Sequence, residues 1–153
     1  HSEANEKKNE IKENEYLMND KIHLKVITHE KIVYEKDIDE LYVQAKDGKI
    51  GFLKNHTPMI CALGIGVTKA VSDNKPQCIA TMGGILQFSN NNATILTDVA
   101  ELDCDIDIAR ANHAKERAEA RLRAKEDNLD VLRAQIALSK AIARISAKDN
   151  KHF

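Results

Sequence analysis

The sequence predicts a β + α chain: an N-terminal antiparallel β-sandwich over 20–103, followed by a C-terminal antiparallel two-helix hairpin over 104–153. Three observations carry this reading. Between Lys21 and Asp103 short β-branched runs alternate with turn residues, after Asp103 the apolar period changes from 2 to 3.6, and no helical crossover separates the strands.

The opening segment "HSEANEKKNEIKENEYLMND" is rich in Glu, Lys and Asn and has little to bury. It predicts a polar tail over 1–19, disordered, weakly helical, or left by processing or expression, with Met18 as an alternative start. In "KIHLKVIT" the residues Ile22, Leu24 and Val26 fall on one face, the period-2 pattern of a half-buried strand. "ELYVQAKDGKIGFL" sets Asp47-Gly48 between two candidate strands, a hairpin signal because both residues tolerate positive φ. Next come "MICAL", "GVTKAV", "QCIATM", "GILQFS" and "ATILTDV", divided by Gly64 to Gly66, "SDNKP", Gly83-Gly84 and "NNN". Short strands at this spacing predict a sandwich or flattened barrel.

Beyond Asp103 the alanines set the pattern. Ala111, Ala114, Ala118 and Leu122 share one helical face, and the acids from Asp103 to Asp107 complement the positive end of the helix dipole. "KEDN" interrupts, and Leu129 to Ala147 forms a second helix with Ala134, Leu138, Ala141 and Ile145 along its seam. Two alanine-lined seams joined by a short polar turn predict an antiparallel pair with close axes.

Composition narrows the function. The 153 residues carry 23 basic and 24 acidic side chains, so no global field draws the protein to nucleic acid or anionic lipid. Cys61, Cys78 and Cys104 lack the spacing of a zinc site or a disulfide framework and fit a reducing compartment. No metal site is expected. No apolar run approaches the ~20 residues that span a bilayer, and no signal-peptide core is present. A phosphate-binding P-loop is absent, "GIG" at Gly64 to Gly66 lacks the third glycine of a dinucleotide turn, and no nucleophile sits in a recognisable setting. No catalytic residue is therefore assigned.

Charge placement is more informative than total charge. Folding the hairpin at 126–128 sets residues opposite one another when their numbers add to about 254, at equal rise per residue. Arg110 then lies near Arg144, and His113 and Ala114 near Lys140, so three cations converge beside the start of helix one. Arg110, Lys140 and Arg144 could hold a polyphosphate, with Glu101 and Asp107 near enough to take base or ribose groups. The same side chains could splay into water or pair with local acids. Alternatively Arg117, Arg121, Arg133, Lys140 and Arg144 could meet an acidic protein surface.

At this point the chain resembles the epsilon subunit of the bacterial rotary ATP synthase and, less closely, the mitochondrial delta subunit. "DGKIGFLKNHTPM" is similar to that family's G-x-x-G-x-x-x-x-H-x-P segment through Gly48, Gly51, His56 and Pro58; "GGIL" at Gly83 to Leu86 and "ATILTDVAE" extend the likeness. "IDIARA", Ile106 to Ala111, is similar to the I-D-x-x-R-A motif with which some epsilon subunits bind ATP as an allosteric ligand. The resemblance implies a sandwich of about ten strands. It implies ATP contacts from Glu101, Ile106, Asp107, Arg110, Ala111, Lys140 and Arg144, with no cofactor required. Lys140 stands where ATP-binding members carry arginine; it keeps the charge and loses the planar fork.

The resemblance also implies partners. The sandwich would dock on gamma and the ring of c subunits in the central stalk, with His56 and Pro58 near gamma and the Asp47, Gly48, Lys49, Gly51 turn near the c ring. Lys49 replaces an acid found there in some members. The hairpin would switch between a compact form and one extended along gamma. In the extended form Arg117, Arg121, Arg133, Lys140 and Arg144 would meet the alpha and beta subunits and block ATP hydrolysis. The subunit would be non-catalytic. It would be held peripherally, through the complex, at the cytoplasmic face of the bacterial plasma membrane or the matrix face of an organelle membrane. A stand-alone ATP sensor and a ligand-free scaffold are the alternatives.

Overall fold

The computed structural model describes residues 3–6, 20–124 and 127–149. The expectation for the polar tail lies outside the described residues except at 3–6, which form one exposed helical turn. Among the described residues there are eight strands: β1 (Ile22–Ile27), β2 (Ile32–Ile38), β3 (Glu40–Ala45), β4 (Gly48–Leu53), β5 (Met59–Ser72), β6 (Lys75–Ser89), β7 (Asn92–Leu96) and β8 (Ala100–Leu102). A 3-10 turn at Asp103–Asp105 then leads to two helices, α1 (Ile108–Ala124) and α2 (Asn128–Asp149).

The strand count is eight rather than ten, and two long strands account for the difference. "MICAL" and "GVTKAV" join across Gly64 to Gly66 into the 14-residue β5, and "QCIATM" and "GILQFS" join across Gly83-Gly84 into the 15-residue β6. The glycines bend these strands without ending them, because the hydrogen bonds to the neighbouring strand resume at once on either side. β2 carries no clean apolar alternation, being mostly exposed, and β8 is only three residues long.

The order along the sheet is β2-β1-β7-β6-β5-β3-β4, with β8 added on β6. β7 pairs with Ile85 to Ser89 of β6, whereas β8 pairs with Ile79 to Thr81. β3 meets β5 chiefly at Lys69 to Val71. One arm of the β5–β6 ribbon thus joins the layer of β2, β1 and β7, and the other joins the layer of β4, β3 and β8. Every pair is antiparallel except β1 with β7, which run parallel. The inner faces of both layers bury Leu24, Val26, Leu41, Phe52, Ile79, Leu86 and Phe88 in one core.

Inward parity changes between the two arms. Leu63, Leu86 and Phe88 face the core on one side of the bend, and Ala70 and Ile79 on the other. The β5–β6 register stays continuous, skipping only Gly64 opposite Gly83. Gly83 and Gly84 hold φ of +75° and +109°. A Cβ on Gly84 would collide with the Leu96 carbonyl oxygen and lie 2.9 Å from the Thr97 Cα.

Turn chemistry differs from expectation at one hairpin. The β3–β4 turn residues are Lys46 and Asp47, with Gly48 already in β4 at φ +138°. The positive-φ pairs expected of a type I′ turn occur instead at Asp73-Asn74 (51° and 62°) and Asn90-Asn91 (50° and 59°). These lie within the "SDNKP" and "NNN" separators.

The hairpin docks against the sandwich. Ala111 and Ala118 of α1 and Ala134 and Ala141 of α2 are buried, while the other expected seam residues, Ala114, Leu122, Leu138 and Ile145, are half-buried. α2 has a second buried stripe, Ala143 and Ala147, which packs with Ile106 on the outer face of the ribbon at Val67, Cys78, Ala80 and Met82. α2 is therefore buried on two sides.

Two predictions follow from this architecture. Gly84→Ala combines a positive φ with a backbone collision and is expected to cost at least about 2–4 kcal/mol in urea unfolding, whereas Gly48→Ala, with open space around its Cβ, is expected to cost about 1 kcal/mol. The second concerns His23, whose ring bonds Asp37 at 2.8 Å and Glu35 at 2.7 Å across the β1–β2 pair. The Asp37 and then the Glu35 carboxylate raise the His23 pKa above its ordinary 6.5, and His23 is the first cause of a lowered Glu35. The His23 contribution is complete below 6.5 and lost as pH rises through the raised value; that of Glu35 is lost as pH falls through its lowered value. The stability difference between parent and His23→Gln is therefore expected to peak near pH ~5–6 and shrink toward alkaline pH. A difference that grew with pH would contradict the clamp.

Candidate functional site

The segment joining sandwich to hairpin is held by local hydrogen bonds. Asp103 Oδ1 accepts from the Cys104 amide at 2.8 Å and from Gln77 Nε2 at 2.7 Å, and the Asp103 carbonyl accepts from the Ile106 amide at 3.3 Å. Ile106 is 4% exposed and lies in the packing between α2 and the ribbon. Asp107 is the N-cap of α1: its Oδ1 accepts from the Arg110 amide at 3.1 Å, satisfying a donor that the first helical turn leaves without a partner. Asp127 repeats the device for α2, accepting from the Asp130 amide at 2.7 Å.

A cavity of about 330 Å³ opens beside this joint, lined by Glu101, Asp105, Asp107, Arg110, Ala111, Ala114, Arg117 and Arg144. Glu101, Asp107, Arg110 and Arg144, which the hairpin geometry set near one another, line it together with Ala111, which only the resemblance singled out. Ile106 faces the packed interior instead, and Lys140 is not among the lining residues. Arg117, expected at a partner surface, lines the cavity because it lies on the face of Arg110 and Ala114, seven and three residues on. Asp105 is a further lining residue that the spacing did not single out. Its place in the 3-10 turn, outside the helical period, gave no signal.

The electrostatics are mixed rather than cationic. Three arginines face three carboxylates around the cavity, so the formal charge of the lining is zero. Arg144 Nε donates to Glu101 Oε1 at 2.8 Å and Nη2 completes the ion pair at the same distance, with the two side chains only 28% and 31% exposed. The pair joins α2 to β8 across 43 residues of chain. Lys148 adds a second tie one turn later, donating to the Asp103 carbonyl at 3.1 Å. Arg110, Arg117 and Lys140 make no side-chain ion pair with a described residue. The arginines can donate charge-assisted hydrogen bonds to phosphate oxygens, and the carboxylates can accept from hydroxyl or amino groups.

The remaining predicted residues lie elsewhere. Arg121 and Arg133 are exposed on the distal part of the hairpin. Asp47, Gly48 and Lys49 are at one end of β4, and His56 and Pro58 follow its other end, about 17–20 Å away along a six-residue strand. Gly51 lies under Tyr42, whose ring a Cβ would meet at 3.0 Å. His56 is half-buried: Nδ1 donates to the Thr57 carbonyl at 2.7 Å, and the ring packs edge-on to Phe88 and against Phe52 with centroids 5.5 and 4.6 Å apart. Asn55 and Asn91 bond reciprocally beside it, at 2.5 Å to the Asn55 amide and 3.1 Å between side chains.

The outer face of the first layer is charged at β1 and β2, through His23, Lys25, Glu35 and Asp37, and carries an exposed apolar patch on the strands beyond them. Ile85 stands beside Ala62 on β5 and opposite Leu96 on β7; with Ile60 these side chains form a patch in which Ile60 is 71% exposed. No helix among the described residues is long and apolar enough to cross a membrane, and none of their His, Cys, Asp and Glu side chains cluster as a metal site.

Comparison with known proteins gives consistent matches over both parts. Residues 21–103 match the family described as ATP synthase, delta/epsilon chain, beta-sandwich domain, and residues 105–149 match ATP synthase, delta/epsilon chain, long alpha-helix domain. The ATP synthase epsilon chain of Halalkalibacterium halodurans is 38% identical over 109 residues, covering 71% of this chain and 82% of the relative. That of Symbiobacterium thermophilum is 43% identical over 107 residues, covering 69% and 77%. Among solved structures, a chain in the OSCP/F1/c-ring part of the Euglena gracilis mitochondrial ATP synthase superposes with a TM-score of 0.75 at 19% identity, covering 84% of this chain and 81% of that one. That likeness is one of fold.

Proposed function

The chain belongs to the ATP synthase delta/epsilon chain family, among the epsilon chains, and from that premise we propose that it is a non-catalytic central-stalk subunit whose hairpin regulates ATP hydrolysis. The observation that carries this reading is the match over both sandwich and hairpin, in that order. The sandwich docks on gamma and the c ring, helping to couple proton or sodium flow to rotation, at the cytoplasmic face of the bacterial plasma membrane. The uncovered patch of Ile60, Ala62, Ile85 and Leu96 supports a docking role, since contiguous apolar surface on a soluble domain commonly marks an interface. His56 and Pro58, near the end of the same layer, extend that surface toward gamma, and the Asp47 to Gly51 end of β4 meets the c ring.

The docked hairpin corresponds to the permissive state. Extended, its basic residues Arg117, Arg121, Arg133, Lys140 and Arg144 meet acidic segments of alpha and beta and stop hydrolysis. ATP is the allosteric ligand that favours the docked form, bound without hydrolysis between Arg110 and Arg144 with Glu101 and Asp107 alongside. Support comes from the cavity, which draws residues from β8, α1 and α2 and exists only while they are together. Moving such an equilibrium from 1:99 to 99:1 takes ~5.5 kcal/mol of differential binding, of which a ligand confined to the docked form supplies a share.

Two measurements test this. The full chain is expected to co-purify with gamma, and Ile85→Asp to abolish that capture while leaving the fold intact by circular dichroism; retention of gamma by the variant would remove the patch from the interface. In isothermal titration the parent is expected to bind ATP, and the Arg110→Ala, Arg144→Ala double variant to lose it. Absence of heat from the parent at millimolar ATP would leave the stalk role and remove the nucleotide.

A further inference from the structure

We infer that Glu101 and Arg144 form a built-in latch that holds the hairpin on the sandwich without any ligand. The apolar contact beneath α2 is small, a handful of side chains of which Ala80, Ala143 and Ala147 are alanines. Each alanine removes little surface from water, so burial alone holds the hairpin weakly. Arg144 and Glu101 add a charge-assisted hydrogen bond from Nε and an ion-pair contact from Nη2, both at 2.8 Å and in a partly water-excluded setting where such interactions gain strength. Glu101 belongs to the sandwich through its place in β8, opposite Ala80, and Arg144 to α2. The bond must therefore break when the hairpin leaves, whereas contacts inside the hairpin can survive the movement. Arg144 is thus engaged before any anion arrives, and an incoming anion meets a guanidinium already shared with Glu101.

The latch assigns a regulatory role to the acid in the cavity and rests on the switch reading above for its meaning, but its test needs neither nucleotide nor partner. The chain carries its own reporters. Cys78 is 2% exposed beneath α2, Cys61 is half-buried beside the main sandwich core, and Cys104 is exposed. Undocking uncovers Cys78 and leaves Cys61 as it was. The experiment is alkylation of the nucleotide-free full chain with iodoacetamide, the rate at each cysteine being read by mass spectrometry.

Glu101→Gln and Arg144→Gln are each expected to speed Cys78 labelling relative to Cys61 by about tenfold, intermediate between the loss of an exposed and of a buried ion pair. The exchanged pair Glu101→Arg with Arg144→Glu is expected to return the ratio toward that of the parent. An unchanged ratio in both single variants overturns the latch, as does equal acceleration of Cys61 and Cys78, which would mean general loosening of the sandwich. Failure here leaves ATP titration of the parent unaffected, so the latch and the nucleotide reading fail separately.

Discussion

The paired bend of β5 and β6 is the constraint on which the rest of the structure depends. With strict alternation continued from Leu63 and Leu86, Val67, Cys78, Ala80 and Met82 would face the sandwich core. The joint slip at Gly64 and Gly83-Gly84 turns them outward while keeping the two strands in register. One ribbon can then serve both layers of the sandwich and offer its outer face to α2. At this bend Gly84 is needed because it approaches the Leu96 carbonyl too closely for any side chain, at a φ that side chains avoid, and Gly83 shares the positive φ. The helix-docking surface is thus a product of the strand geometry.

What docks there is built from small residues. Alanines at 111, 118, 134 and 141 let the helix axes approach, and those at 143 and 147 let α2 lie close to the ribbon. Small side chains lose little conformational entropy on burial and also remove little apolar area from water. Position is set well while adhesion stays modest, and directional ties such as Arg144 to Glu101 and Lys148 to the Asp103 carbonyl then take a large share of the holding. An element that is to leave its seat and return suits that division between fit and strength.

How much of this was legible in the sequence depends on how local each signal was. The period-2 face of Ile22, Leu24 and Val26 and the period-3.6 alanines needed only a dozen residues of context, and both elements formed as read. The union of "MICAL" with "GVTKAV" was hidden because glycines signal breaks, and only the neighbouring strand decides whether the ladder continues. β2 was hidden because it is largely exposed and its alternation correspondingly weak. In the candidate site, the presence of Arg110 and Arg144 around one cavity agrees with equal rise along two antiparallel helices. The pairing of Arg144 with Glu101 did not follow, since it depends on where β8 sits on β6, a contact between elements far apart in the chain. Lys140 illustrates the limit of the same geometry: opposition along the axis fixes height but leaves rotation about the helix to the second packed face of α2.

The I-D-x-x-R-A stretch can be divided by what the fold itself demands. Ile106 is buried beneath α2, Asp107 caps α1, and Ala111 sits in the helix seam, so each has a structural reason to be there with no ligand involved. Glu101 and Arg144 satisfy one another. Arg110 is different. Its amide serves the cap, but its side chain lines the cavity and makes no ion pair with a described residue. Arg110 is exposed in the first turn of α1, where the helix dipole disfavours positive charge, and it shares the cavity with two further arginines as well as with the carboxylates of Glu101, Asp105 and Asp107. Within the stretch Arg110 is therefore the charged side chain that remains open to an anion of the kind proposed, whereas the carboxylate of Asp107 already serves the helix cap.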